Sequence, residues 1–303
     1  MEIKVLSSKE YEEKEKNYGD CIIIHHNANV IVYDCGSEEH AIRVKDFLKG
    51  KNINNVYVIL SHNDEDHFKG IQWLRENVEI KGIYTILLLK YVDEIYEKIN
   101  DKRRTREALR EQILKLYDNV AKLSGENLKD IYEETINIDG VDIVGPNKDY
   151  MITAVAHQLD GRESDQIDSE TIFNAISVQV KLNINGKTVL LTGDASYPSI
   201  EDKIDKYDSV QLPHHGKKKQ AEEIFDKLSE KNSKITYIVS DNTGNSNGGS
   251  DDLDTKGKIV YNTKNYGDID VDKVIENKRS AGTYGREKWY IYFLKMALLT
   301  EKI

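Results

Sequence analysis

Two apolar runs, Cys21 to Ile24 and Val30 to Tyr33, flank the polar stretch His25-His26-Asn27-Ala28-Asn29, a pattern that predicts a β-hairpin. The second run ends at Asp34-Cys35-Gly36. Ala41, Val44, Phe47 and Leu48 then recur at helical spacing between Glu38 and Gly50, with Gly50 as the expected cap. Val56 to Leu60 is a short apolar run suited to a buried strand, and it leads directly into Ser61-His62. The pattern so far is a hairpin followed by a βαβ unit.

From about 91 to 134, Ile95, Ile99, Leu109, Ile113, Leu116, Val120 and Leu123 fall at mostly three- to four-residue spacing, which predicts a helical insertion. Strand-like sequence returns at 141–144, 151–156, 176–184 and 187–192, the last two joined through Asn185-Gly186, a strong hairpin signal. Residues 158–171 are polar and acidic and read as a loop. Ile235 to Ser240 reads as a further strand, and the Gly/Asn/Ser-rich stretch 241–250 as a loop. No solenoid-length repeat is present, and the pattern predicts a single α/β domain over residues 1–303.

Composition agrees with a globular chain: 39% hydrophobic, 32% charged, and only 3 Pro. The start of the chain lacks the pattern of a secretory signal, and no apolar run reaches the roughly 18 residues of a membrane span. The expectation is a cytoplasmic protein with no membrane association. Cys21 and Cys35 lie in strand-like surroundings, where burial as free thiols is expected. A net charge of −10 argues against nucleic-acid binding over the whole surface but leaves room for a local basic cleft. Two stretches supply candidates: residues 98–122, with eight Lys or Arg against four acids, and Lys217-Lys218-Lys219. For the first, a solvated helix face held by local ion pairs competes with a clamp on a phosphate-bearing substrate.

The chemistry concentrates at strand ends. In Ser61-His62-Asn63-Asp64-Glu65-Asp66-His67, five of the six positions from 62 to 67 are His, Asp or Glu. Such a cluster is costly to hold without a cation, because neighbouring carboxylates repel and strand ends are partly desolvated. In an extended segment His62, Asp64 and Asp66 share one side, with His67 at the turn into a helix. Asp194 follows the apolar run Val189 to Leu191, and Pro213-His214-His215-Gly216 follows Val210-Gln211-Leu212. Paired histidines after a strand, followed by Gly, suit metal binding. His25, His26 and His40 are expected at the surface or in the hairpin, and His157, at the end of the run Met151 to Ala156, is a further candidate ligand.

Together these segments resemble the metallo-β-lactamase superfamily, and most closely the hydrolase domain of ComEC-type DNA-uptake proteins. The matching residues are His62-x-Asp64-x-Asp66-His67, Asn174-x-x-Ser177, Leu190 to Ala195 and Pro213 to Gly216. Asp34-Cys35-Gly36 resembles the first motif of the superfamily, and Tyr261 to Ile269 the terminal strand pair of the ComEC-type family. Lys217 stands where that family has Ser, and no clear third-motif His is visible.

The resemblance implies a four-layer αββα sandwich that holds one or two divalent metal ions, Zn²⁺, Mn²⁺ or Mg²⁺. His62 and Asp64 would hold one ion; Asp66, His67 and His214 or His215 the other, with His214 favoured. Asp194 would bridge them, and Asp34, Asn174 and Ser177 would orient ligands. Asp66, His67 and Asp194 would carry catalysis, with water as the nucleophile. Lys217, Lys218, Lys219, Arg103, Arg104 and Arg106 would contact phosphates of a nucleic acid or nucleotide. A small-molecule hydrolase acting on a cyclic nucleotide or acyl substrate, and a non-catalytic module that binds a protein partner, are the alternatives. The sequence sets no oligomeric state.

Overall fold

The computed structural model describes residues 1–101, 103–116, 120, 123, 127–160, 170–244 and 249–276. The first sheet collects β1 (Glu2–Val5), β2 (Cys21–His26), β3 (Asn29–Cys35), β4 (Asn55–Ile59), β5 (Glu79–Thr85) and β6 (Leu128–Asp130). The second collects β7 (Val141–Gly145), β8 (Gln179–Ile184), β9 (Lys187–Leu191), β10 (Ser209–Gln211), β11 (Thr236–Val239) and β12 (Ile259–Asn262). A two-residue β13 (Ile269–Asp270) returns to the first sheet. The orders are β13-β1-β2-β3-β4-β5-β6 and β12-β11-β10-β9-β8-β7.

The β2–β3 hairpin forms as expected: Ile24 pairs with Ile31, and Asn27 takes the left-handed conformation at the tip. Asn185 and Gly186 both have positive φ and close the β8–β9 hairpin. Parallel pairing joins β3 to β4 through α1 (Glu38–Lys51), and β4 to β5 through α2 (Glu65–Asn77). The α1 helix runs past Gly50 and ends on Asn52, whose left-handed backbone caps Leu48 and Lys49.

Strand alternation separates the layers. On β9, Val189 and Leu191 join the large core between the sheets, whereas Leu190 faces a smaller core with Val210, Ile224 and Phe225 on the outer side of the second sheet. Two sheets face each other and helices flank them, so the αββα sandwich is the observed fold. Cys21 and Cys35 are free, buried and directly opposed across β2 and β3.

Three expectations about elements require correction. Residues 151–156 are not a strand but lie in a helix, Lys148–Leu159, whose N-terminus is capped by the Asn147 side chain on the Asp149 N–H. Met151, Ile152, Ala154, Val155 and Ala156 are all buried, and a continuous apolar run has no period by which strand and helix differ. The helical insertion covers only part of 91–134: α3 (Val92–Lys98) and α4 (Arg106–Leu116) are helices, but β6 pairs with β5. Tyr261 and Ile269 do not belong to one strand pair, since β12 pairs with β11 and β13 with β1. The loop reading of 158–171 falls largely on residues outside those described, and its first two residues close the Lys148–Leu159 helix instead; of 241–250, residues 245–248 lie outside those described and the others are neither helix nor strand, as expected. Among the described residues, no helix is long and apolar enough to cross a membrane.

Candidate metal centre

The parallel strands β3 and β4 in one sheet, and β9, β10 and β11 in the other, all deliver polar residues from their C-terminal ends. Asp34 leaves β3, His62 follows β4, Asp194 follows β9, and His214 and His215 follow β10. Strand ends are where backbone changes direction, so side chains there can converge from several elements. Gly193 has a φ of 54°, and a Cβ there would sit 2.8 Å from the Ser61 Cβ; the turn that presents Asp194 therefore needs Gly. His214 and His215 also take left-handed backbone, with φ of 51° and 55°. Convergence of this kind cannot be read from spacing; the kinked Pro213–Gly216 turn sends the two rings to different places.

His67 Nδ1 lies 2.8 Å from Asp34 Oδ2, and both side chains are fully buried. An ionised carboxylate only accepts, so Nδ1 carries a proton and Nε2 points to the centre. His215 repeats the arrangement with Asp20 Oδ1 at 3.1 Å and the Ser240 carbonyl at 3.0 Å from its Nδ1. His62 Nδ1 sits between Ser61 Oγ at 2.9 Å and Ser177 Oγ at 3.2 Å. His214 Nδ1 lies 2.6 Å from Glu170 Oε2, with the Asn174 amide nitrogen at 3.3 Å.

Four imidazoles are thus held by their outer nitrogens around Asp194. His67 Nε2 lies 3.3 Å from Asp194 Oδ1; His214 Nε2 and His215 Nε2 lie 3.8 and 3.9 Å from Asp194 Oδ2. His62 Nε2, His67 Nε2 and Asp194 Oδ1 are buried and have no hydrogen-bond partner. Candidate ligand atoms of His62, His67 and Asp194 lie within 4.8 Å of one another, as do those of Asp66, His67 and His215, and those of Asp20, Asp194 and His215. Asp66 Oδ2 is 3.2 Å from His215 Nε2 and accepts from the Asn17 amide at 2.9 Å. Asp66 does not share one side of an extended segment with His62 and Asp64, because α2 starts at Glu65 and takes Asp66 and His67 into its first turn; Asp64 stands at the N-cap without a side-chain cap bond, and its Oδ2 lies 3.7 Å from His62 Nε2 at the more exposed rim.

The electrostatics bind these groups together. Burial opposes charge on Asp194, but His67, His214 and His215 outweigh it and hold the carboxyl well below the carboxylate range. Burial likewise opposes charge on Asp66, and His215 and His67 reverse the sign. Burial disfavours the His67 imidazolium, yet Asp194 and Asp34 raise its pKa well above the ordinary value; Asp194 and Asp20 do the same for His215. A divalent ion at the centre would supply the positive charge that these protons supply without it.

The centre gathers His62, Asp64, Asp66, His67, Asp194, His214 and His215, with Asp34, Asn174 and Ser177 behind them. It places His215, not the favoured His214, with Asp66 and His67. His157 is exposed on the last turn of its helix and joins none of these groups. His40 is not a surface residue: it is fully buried, between the Tyr11 hydroxyl and the Gly19 carbonyl. Sequence reasoning missed Asp20 and Glu170. Asp20 had a signal, since Gly19-Asp20-Cys21 mirrors Asp34-Cys35-Gly36 at the neighbouring strand end. Glu170 had none, lying in an acidic stretch.

The expected phosphate contacts divide. Lys217 adjoins the centre, where its Nζ lies 3.0 Å from Glu170 Oε1, and Lys218 and Lys219 are exposed beyond it. Arg103 pairs with Asp101, Arg104 donates to Gln112, and Arg106 pairs with Asp93 and Glu97. Arg103 and Arg104 lie in the turn before α4 and Arg106 at its start, each held by a partner in the same insertion. A cleft of about 230 Å³ opens over the centre, lined by Asn17, Asp66, His214, His215, Lys217 and Thr243 among others.

Residues 16–155 match the family described as Metallo-beta-lactamase superfamily. Among solved structures, the chain is similar to the metallo-beta-lactamase fold protein YhfI from Bacillus subtilis, at 14% identity, 70% coverage of each chain and a TM-score of 0.35. It is similar to a HARLDQ-motif mutant metallo-beta-lactamase from Cronobacter sakazakii, at 11% identity, 96% of this chain, 95% of that one and a TM-score of 0.34. A third is the B3 metallo-beta-lactamase BLEG-1, at 11% identity, 76% and 85% coverage and a TM-score of 0.33. No curated protein matches the chain. Residues 16–155 thus match a metallo-β-lactamase superfamily domain, and the two facing sheets flanked by helices are the metallo-β-lactamase fold.

Proposed function

We propose that this chain is a metal-dependent hydrolase that cleaves phosphodiesters of a nucleic acid or nucleotide. The observation that carries the metal is the trio of buried, unpartnered ligand atoms on His62, His67 and Asp194. Each such group left unsatisfied costs about 1–3 kcal/mol, and one divalent cation would satisfy all three. Asp66 and His215, which share His67, would extend the site to a second ion, and Asp64 offers a further oxygen at the rim. A set of imidazoles and carboxylates suits Zn²⁺ or Mn²⁺, with Mg²⁺ a weaker fit for the nitrogens. When bound, such ions lower the pKa of water and offset negative charge on the attacked group.

The chain's own residues do the rest. Asp34, Asp20, Ser61 and Ser177 hold three imidazoles by Nδ1, so that each Nε2 lone pair faces inward. His214 is more open, with a side chain 29% exposed to the cleft, and Glu170 fixes its Nδ1. That placement suits proton donation from Nε2 to a leaving oxygen. Lys217 places positive charge at the cleft edge, where a phosphoryl oxygen would be stabilised.

The test is cleavage of single-stranded DNA, double-stranded DNA, RNA and bis-p-nitrophenyl phosphate with Mn²⁺, Mg²⁺ or Zn²⁺, comparing wild type with Asp66→Ala and His67→Ala. Polymer cleavage lost in both variants supports the reading; absence of metal-dependent turnover on every substrate would sink it. A small-molecule hydrolase is the second reading, which the local pairing of Arg103 and Arg106 supports, since it does not need a basic clamp. Turnover of the small diester alone would establish that alternative.

A further inference from the structure

A second cavity, of about 150 Å³, lies beside the metal cleft and has no role in the chemistry above; Lys9, Lys14 and Lys264 line it against the acids Glu13 and Asp241, with Tyr18, Asn242 and Gly244 also in its walls, and Glu13 is exposed. The two cavities share a partition. Asn17 and Thr243 line the metal cleft, while their chain neighbours Tyr18, Asn242 and Gly244 line the second. The Tyr18 N–H donates to the Asn242 carbonyl at 3.0 Å, which ties the two segments together. The floor is rigid: the buried Asn242 amide donates to the carbonyls of Leu6 and Gly19, and its oxygen accepts from the Ser8 N–H.

The charges at this cavity are unequal in what they are free to do. Asp241 is saturated by Ser250 Oγ at 2.5 Å, the Ser250 N–H at 2.9 Å and Thr243 Oγ1 at 2.8 Å, with Lys264 Nζ at 3.4 Å. Lys9 Nζ donates to the Asn265 carbonyl and Lys14 Nζ to the Lys9 carbonyl. Among the described residues, neither ammonium has a carboxylate within ion-pair distance, although acids outnumber bases in the chain by 53 to 43. With Lys264 set against Asp241, two ammonium groups bonded to neutral carbonyls face one exposed carboxylate, Glu13, and this excess of positive charge over a cavity that adjoins the metal cleft favours an anion.

We propose that this cavity holds a second phosphate of the substrate, next to the one at the metal centre, so that the enzyme selects a nucleic-acid strand over a substrate with a single phosphorus. The inference rests on the phosphodiesterase reading for the centre, but its binding step is independent of it. A mononucleotide or cyclic nucleotide would leave Lys9 and Lys14 without an anionic partner, whereas a strand would offer a phosphate on both sides of the partition.

The test is fluorescence anisotropy of a short labelled single-stranded DNA and its RNA counterpart, with chelator present, over a range of salt, for wild type and Lys9→Gln/Lys14→Gln. Thermal melting of both proteins confirms equal folding. Losing two phosphate contacts is expected to flatten the slope of log K against log salt by about 1.4 and to weaken binding roughly tenfold or more at low salt. Turnover of bis-p-nitrophenyl phosphate by the metal-loaded double variant should match wild type. An unchanged slope and affinity, or no strand binding by wild type at low salt, would overturn the proposal. Lysine-dependent binding without cleavage of any substrate would leave this cavity as a strand site and sink the phosphodiesterase reading instead.

Discussion

Asp34 Oδ2 accepts from His67 Nδ1 at 2.8 Å while Asp34 Oδ1 accepts from the Ser61 N–H at 2.7 Å, so one buried carboxylate fixes both a ring and the backbone that precedes His62. Asp34 does this from a left-handed backbone at φ 57°, a conformation that a non-Gly residue adopts only when its surroundings compensate. The first sheet therefore orients two inward-facing histidines through one side chain.

Asp34→Asn is expected to weaken metal binding about 10- to 100-fold, because the amide no longer forces the Nδ1–H tautomer on His67. Competition against a chromophoric chelator measures this. Wild-type affinity in the variant would refute the orienting role of Asp34.

His215 and His214 are expected to separate by phenotype. His215→Ala removes a group that faces both Asp66 and Asp194, so it should lower the bound metal per chain. His214→Ala should keep the metal content and lose turnover. Elemental analysis of purified protein beside a turnover assay decides it, and metal loss confined to His214→Ala would reverse the assignment.

Gly36→Ala should destabilise the protein by about 2 kcal/mol or more and disturb the centre together. A Cβ at Gly36 would lie 2.0 Å from the Asp66 carbonyl oxygen and 2.7 Å from the Tyr18 carbonyl oxygen, both backbone atoms of packed segments. Chemical denaturation measures the loss, and a neutral substitution would show that the α2 start can retreat.

Acid should weaken the fold through His40. Burial, with Arg43 adding to it, lowers its pKa to about 4, against an ordinary 6.5. A depressed imidazole pKa means the unfolded chain binds the proton more readily, so stability is full above about 6.5 and falls as pH drops toward 4. Between pH 7 and pH 5 the expected loss is about 2 kcal/mol. Denaturation midpoints of wild type and His40→Gln at several pH values test this; the variant should lose less over that window, and parallel profiles would refute it.

Local sequence chemistry was enough for the hairpin at Asn27, the Asn185-Gly186 turn, the α1 crossover, and the placement of His62 and Asp194 after apolar strands. Those features depend on alternation, helical period and turn residues within a few positions of one another. The tertiary structure decided what depends on contacts far apart in the chain. It made 151–156 a helix, because an apolar run buried on all sides takes its form from its neighbours. It added β6 to the first sheet through pairing with β5, and it buried His40 under Tyr11. It set the roles of His214 and His215 apart, since adjacent residues with left-handed backbone point to different partners, Glu170 and Asp20, which lie 44 and 195 residues away in sequence. It also paired Arg103 and Arg106 with local acids while Lys9 and Lys14, among the described residues, donate to backbone carbonyls, a distinction of geometry that charge counts along the chain do not contain.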